Sequence, residues 1–247
     1  MAAVLLGSSS LWAAISTPFC QEVEAIIFDC DGVLVDTEYL KFLAWKDALA
    51  SKNVEFSVEE YMPLIGHSSR NILQMIRQLK NQDISDDVIL LRQEKYRLLQ
   101  MQGVPAIVPM VEFARRLSQE KRRLGIKLGL ASSASTKEIM HNLQQIGLED
   151  AFDLVISGSS DLDQYIDSEG KNKPKPYIYI EAAKRLNVMP SRCIVFEDTS
   201  AGVEAASGAG MIAVAIPNQF TSEQDFSKAI TIIGSHANLP LQGFLEK

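Results

Sequence analysis

Histidine and cysteine are scarce in this chain of 247 residues, with three of each. His67, His141 and His236 follow no metal-ligand spacing, which argues against a zinc centre. Cys20, Cys30 and Cys193 are scattered too widely for a disulfide framework, so a reducing compartment, the cytoplasm, is the expected location. Long apolar runs are missing as well. No stretch reaches the ~18–20 residues of a membrane span, and no membrane partner is expected. Positive charge is in short supply: 24 basic side chains stand against 31 acidic ones, for a net charge of −7. That balance removes the basic footprint that nucleic-acid binding requires. There is no G-x-x-x-x-G-K-[ST] loop, so the chain is not a P-loop nucleotidase. An EF-hand starting at Asp29 fails because Leu34 stands where that loop needs glycine.

What remains is an ordinary globular composition, 47% hydrophobic and 22% charged, in a chain long enough to bury a core without staples. Residues 1–22 stand apart. They are small, Ser-rich and mildly apolar, and the first basic residue of the chain is Lys41, so the positive start of a signal peptide is absent. A loosely packed extension is expected there, with a targeting segment as the alternative.

From Ala25 onward, short apolar runs alternate with helical patterns. Ala25–Phe28, Leu128–Ala131, Leu154–Ile156, Ile194–Phe196 and Ile212–Ile216 read as strands buried on both faces, as in a parallel sheet. Val111–Arg123, Thr136–Ile146, Tyr177–Asn187 and Ala201–Gly208 read as the helices between them, with Gly147 and Asn187 as stop signals. The alternation predicts an α/β, doubly wound parallel sheet. One segment interrupts it. Between Glu38 and Pro109 only helical stretches are found: Leu40–Lys52, Ser57–Leu64, Asn71–Lys80 and Ser85–Gln100. Ser57 and Glu60 match a capping box, and Ser85 is the expected N-cap of the last helix. The expected organisation is an extension over 1–22, a core over 23–39 and 110–247, and a helical insert over 40–109.

Open α/β sheets bind ligands beyond the carboxyl ends of their strands, so the residues following each strand carry the information. The first strand ends in Asp29-Cys30-Asp31-Gly32, the second in Ser132-Ser133, and the fourth in Glu197-Asp198-Thr199. Lys173-Pro174-Lys175-Pro176 lies between the third and fourth. A single Asp after a strand most often caps the next helix. Two at i and i+2, joined by a Glu-Asp pair at another strand end, instead suggest hard oxygen ligands for Mg²⁺. A carboxylate in such a setting can attack phosphorus while a second one moves the proton. Phosphoryl transfer also needs a cation and a hydroxyl around the moving oxygens, and Lys173 and Ser132 fit that need, although a solvated lysine and a helix cap are their simpler readings.

The run from Ile26 to Glu38, I-I-F-D-C-D-G-V-L-V-D-T-E, resembles the first motif of the haloacid dehalogenase-like (HAD) phosphohydrolases, in the branch of β-phosphoglucomutase and phosphoglycolate phosphatase. Leu128–Ser133, Lys173–Pro176 and Phe196–Ala206 are similar to the family's second, third and fourth motifs, in the same order. The resemblance implies a Rossmann-like core with a small helical cap after the first strand, and an Mg²⁺-dependent phosphatase acting on a small phosphorylated metabolite. It implies Asp29 as nucleophile, and Asp31 as acid/base and backbone-carbonyl ligand of the metal. Ser132 and Lys173 would hold the phosphoryl group, and Glu197 and Asp198 would complete the metal site. Gly66-His67-Ser68-Ser69-Arg70 is similar to the branch's cap specificity loop, which makes Gly66 and Arg70, with Ser133 of the core, candidate substrate-binding residues. For Arg70 a surface helix position is the plain alternative.

The second aspartate favours phosphate esters over halides or phosphonates in this group. There are also departures. Lys41 stands where relatives carry His, which weakens a mutase reading. Tyr177 follows K-P-x-P where Asp is usual, and the stretch 157–172 is long, expected as a solvated loop. The alternatives are a hexose-phosphate mutase and a non-catalytic binding protein on the same fold. A monomer is expected.

Overall fold

The computed structural model describes residues 23–65, 67 and 69–234. The extension expected over 1–22 and Gly66 lie outside the described residues. The chain divides into two compact units, one built from the residues up to Val35 and from Ala106 onward, the other from Asp36–Pro105. The second unit starts and ends slightly earlier than the 40–109 expected. Its two ends are tied together by the Asp36 N–H, which donates to the Pro105 carbonyl at 2.8 Å.

The core unit is a six-stranded sheet. Its strands are β1 (Ala25–Phe28), β2 (Lys127–Ser132), β3 (Leu154–Ser157), β4 (Cys193–Glu197), β5 (Ile212–Ala215) and β6 (Thr231–Ile232). Their order is β3-β2-β1-β4-β5-β6, and every pairing is parallel. The chain winds outward from β1 to β3, then returns to lay β4 against the other side of β1. The strand order therefore reverses between β1 and β4, which is where such sheets place their ligands. The helices of this unit are α5 (Val108–Leu124), α6 (Thr136–Gln145), α7 (Tyr177–Leu186) and α8 (Ser200–Gly208). The five strands read from the sequence are present. The two-residue β6 was not among them, since so short a run carries no period to detect.

Side chains alternate across the sheet. Ile27 and Val195 pack with Ile178, Tyr179, Ala182 and Leu186 of α7. Gly129 lets this helix lie close, since a Cβ there would stand 3.2 Å from Leu186 Cδ1. The neighbouring positions face the other way. Phe28 stacks on Phe196 with centroids 5.2 Å apart, and both rings meet the edge of Phe113 from α5. Both faces are thus covered, which is why β1 and β4 are apolar at successive positions. The stretch expected as a solvated loop adds no helix or strand beyond Ser157, the end of β3, and most of its residues are exposed; Leu162 is buried, and the Tyr165 ring lies 4.9 Å from that of Tyr177.

The second unit is helical, with α1 (Glu38–Ala50), α2 (Val58–Tyr61), α3 (Ser69–Lys80) and α4 (Asp87–Met101). Ser57 and Glu60 form the capping box, each side chain accepting from the other's backbone N–H. The helix expected over Ser57–Leu64 tightens after one turn into a 3-10 segment, Met62–Leu64, at Pro63, which has no N–H to continue an α-helical ladder. Ser85 is not the N-cap of α4. Its hydroxyl bonds the Asp87 carboxylate instead, and Asp86 occupies the cap position.

Candidate active site

The site forms where β1, β2 and β4 end. Asp29 follows β1 directly, and its N–H donates to the Phe196 carbonyl at 3.0 Å, continuing the β1–β4 ladder by one residue. By the alternation of the strands, Asp29 and Glu197 share the α7 side with Ile27 and Val195. Asp29, Glu197 and Asp198 are all buried, and one carboxylate oxygen from each lies within 4.8 Å of the others. An octahedral Mg²⁺ with bonds of ~2.1 Å spaces its oxygens roughly 3–4 Å apart, so the three fit a divalent cation after a small contraction.

Two glycines make room for this group. A Cβ on Gly32 would stand 1.9 Å from Asp198 Oδ2, and one on Gly202 would stand 2.0 Å from Glu197 Oε2. Gly32 also has φ +85°, which side chains resist. The D-x-D-G turn thus admits Asp198 where any larger residue would expel it.

Lys173 balances part of the charge. Its ammonium donates to Asp29 Oδ1 and to Glu197 Oε1, each at 2.6 Å, and to the Ala131 carbonyl at 3.2 Å. An ammonium has three hydrogens, so all are engaged. Burial pushes the Asp29 carboxyl up to about 7; Lys173 opposes that shift, while Glu197 and Asp31 add to it. Burial works against the charge on Lys173 too, yet Asp29 and Glu197 outweigh it and hold the ammonium well above the usual lysine range. Removing one partner of a buried, bonded ion pair typically costs about 3–5 kcal/mol, so this lysine is fixed by its neighbours.

Asp31 is partly exposed and its carboxylate lies outside the three-oxygen group. It turns toward β2, where the Ser132 hydroxyl donates to Asp31 Oδ2 at 3.4 Å. Ser132 does not cap α6. That role belongs to Ser135, while Ser132 Oγ accepts from the Ala134 N–H at 3.1 Å. Ser133 is exposed at the strand end. Asp29, Asp31, Ser132, Ser133, Lys173, Glu197 and Asp198 thus all belong to the rim of the core unit. Arg70 lies in the other unit, exposed in the first turn of α3.

Two further residues belong to this constellation and were missed from the sequence. Tyr179, in the first turn of α7, donates its hydroxyl to Glu197 Oε1. Asn218, beyond β5, donates Nδ2 to Asp198 Oδ2 at 2.9 Å, and its orientation is set by Oδ1, which accepts from the Phe220 N–H at 2.8 Å. A buried tyrosine usually needs a partner for its hydroxyl, which was the one available hint for Tyr179. Asn218 offered none.

The profile of the haloacid dehalogenase-like hydrolases matches residues 23–210. A phosphorylated carbohydrates phosphatase of Thermotoga maritima is 33% identical over 195 residues, covering 76% of this chain and 82% of that one. A β-phosphoglucomutase of Bacillus subtilis is 30% identical over 201 residues, covering 78% and 83%. Among solved structures, CbbY from Rhodobacter sphaeroides in complex with phosphate superposes with a TM-score of 0.72 at 26% identity, over 90% of this chain and 99% of that one. The parallel sheet, the carboxylates gathered at its switch point and these matches agree: the chain belongs to the haloacid dehalogenase-like hydrolases, in the branch of β-phosphoglucomutase, CbbY and related phosphatases, and is a phosphohydrolase.

Proposed function

We propose that this enzyme is an Mg²⁺-dependent phosphatase that hydrolyses the phosphomonoester of a small phosphorylated sugar through an aspartyl-phosphate intermediate. The observation that carries the reading is the buried group of Asp29, Glu197 and Asp198 with Lys173 bonded across it. In the proposed cycle, an Asp29 oxygen attacks phosphorus and the bond to the ester oxygen breaks. Asp31 gives its proton to the departing alcohol. The same carboxylate then takes a proton from water, which attacks the phosphoryl group and frees Asp29 and inorganic phosphate. Ser132 and Lys173 would hold the phosphoryl oxygens, with Ser133 beside them as a substrate-binding residue. A bound Mg²⁺ would supply positive charge where the phosphoryl oxygens gather it. The backbone carbonyl of Asp31, with Asp29, Glu197 and Asp198, would hold that ion. Arg70 and Gly66 would read the part of the substrate remote from the phosphate, with the helical unit as the cap.

The sugar class is supported by the relative named as a phosphorylated carbohydrates phosphatase. The likeness to β-phosphoglucomutase favours a second reading, in which the phosphoryl group returns to another hydroxyl of the same sugar. Incubation with a panel of phosphate esters and Mg²⁺ separates the two. The phosphatase releases inorganic phosphate from at least one sugar phosphate. A mutase given glucose 1-phosphate and a trace of bisphosphate yields an isomer without free phosphate. Failure of the whole panel with Mg²⁺ present overturns both.

A further inference from the structure

Tyr179 touches both members of the ion pair that faces Asp29. Its hydroxyl donates to Glu197 Oε1, the oxygen that also accepts from Lys173. Its ring lies 5.1 Å from Lys173 Nζ, within the range of a cation–π contact. The side chain is fully buried. Ile178, Ala182 and Leu186 fix α7 against the sheet at Ile27, and Gly129 brings the helix close, so the ring has little freedom.

We propose that Tyr179 is a positioning residue for the hydrolysis, acting through the Lys173–Glu197 pair. Glu197 Oε1 has two donors whose directions meet at one oxygen, and this fixes the carboxylate's rotation. The fixed carboxylate in turn holds the ammonium so that another of its hydrogens points at Asp29 Oδ1. The ring face blocks the side toward which Nζ could otherwise swing. Glu197's far oxygen is confined as well, since Gly202 approaches it so closely that no Cβ fits between them. Without the hydroxyl, Glu197 keeps its charge and Lys173 keeps its partners, but the pair gains a degree of rotational freedom. The cost should therefore fall on the chemical step and not on substrate capture.

This inference rests on the phosphohydrolase reading of the site, and the test keeps the two apart. Tyr179→Phe retains the ring and removes only the hydroxyl; Tyr179→Leu removes both contacts. Steady-state rates on the best ester of the panel are compared with wild type, together with melting temperature and Mg²⁺ affinity by calorimetry without substrate. Tyr179→Phe is expected to lower kcat about 10-fold with KM changed less than about twofold, in the range seen for residues that orient an active group. Tyr179→Leu is expected to fall further. In a Glu197→Gln background the Tyr179→Phe effect should shrink to about twofold or less, because the oxygen it orients has lost its charge. A wild-type kcat in Tyr179→Phe, or a 10-fold loss that multiplies unchanged in the Glu197→Gln background, overturns the proposal while leaving the hydrolase reading intact. An inert wild type removes both. A lowered melting temperature with unchanged kcat assigns Tyr179 to the core alone and also overturns it.

Discussion

Both units of this chain carry most of their ion pairs at the surface, but among the described residues only the core unit sets a buried cation between buried carboxylates. In the helical unit most ion pairs are at the surface: Lys52 with Asp87, Arg77 with Asp86, Arg97 with Glu94. Such pairs contribute little, because water screens them and their side chains give up freedom to meet. In the core unit, Lys173 lies between two buried carboxylates, with Asp198 beside them held by Asn218. Those charges are costly to bury, and they are offset by mutual bonding, with Lys173 and Glu197 each bonded more than once. Glu38 is the helical unit's own exception. It is buried, accepting from Lys41 at 2.6 Å and from Tyr61 at 3.0 Å. The contrast shows where geometry is over-determined, and so where a small change of shape should cost most.

That contrast can be broken at several points. The largest effect is expected for Asp29→Asn, which keeps the shape and removes the proposed nucleophile: kcat should fall at least about 10³-fold, with the melting temperature little changed. Full activity in that variant would discard the mechanism. Next comes Gly32→Ala. Its Cβ has to displace the Asp198 carboxylate, so calorimetry should record Mg²⁺ affinity reduced by about 10–100-fold, alongside reduced turnover. Unchanged affinity would mean that Asp198 does not hold the ion. Arg70→Ala tests the helical unit. If Arg70 grips the substrate, KM should rise about 10-fold with kcat nearly constant; an unchanged KM returns it to a surface role. The smallest effect is expected for Arg97→Ala, where turnover should match wild type and the melting temperature should stay within about 1 °C. A larger drop would show that the helical surface carries more than the comparison allows.

The sequence disclosed the core's chemistry better than its supports. Asp29, Asp31, Ser132, Lys173, Glu197 and Asp198 sit directly after apolar strands or in the K-P-x-P segment, so position along the chain was enough to gather them on one rim. Tyr179 and Asn218 were not legible, because they act through a neighbour and lie in segments with no spacing of their own. Ser85 was misread because a hydroxyl before a helix has two possible partners, the backbone and the adjacent carboxylate, and here the carboxylate wins. The polar composition of 157–172 marks it as a solvated loop, and most of it is exposed, with Leu162 and Tyr165 as its anchors.

The junction between the units has a consequence for how such a chain can change. On the core side, Val35 bridges Ala106; on the helical side, the Asp36 N–H meets the Pro105 carbonyl. Everything from Asp36 to Pro105 therefore leaves and returns at one doorway, and the sheet registers it as a short turn. Residues can be added to or lost from that excursion without sliding any strand of the sheet against its neighbour. The carboxylate-bearing rim and the helical unit are thereby uncoupled in inheritance, although one continuous polypeptide encodes both.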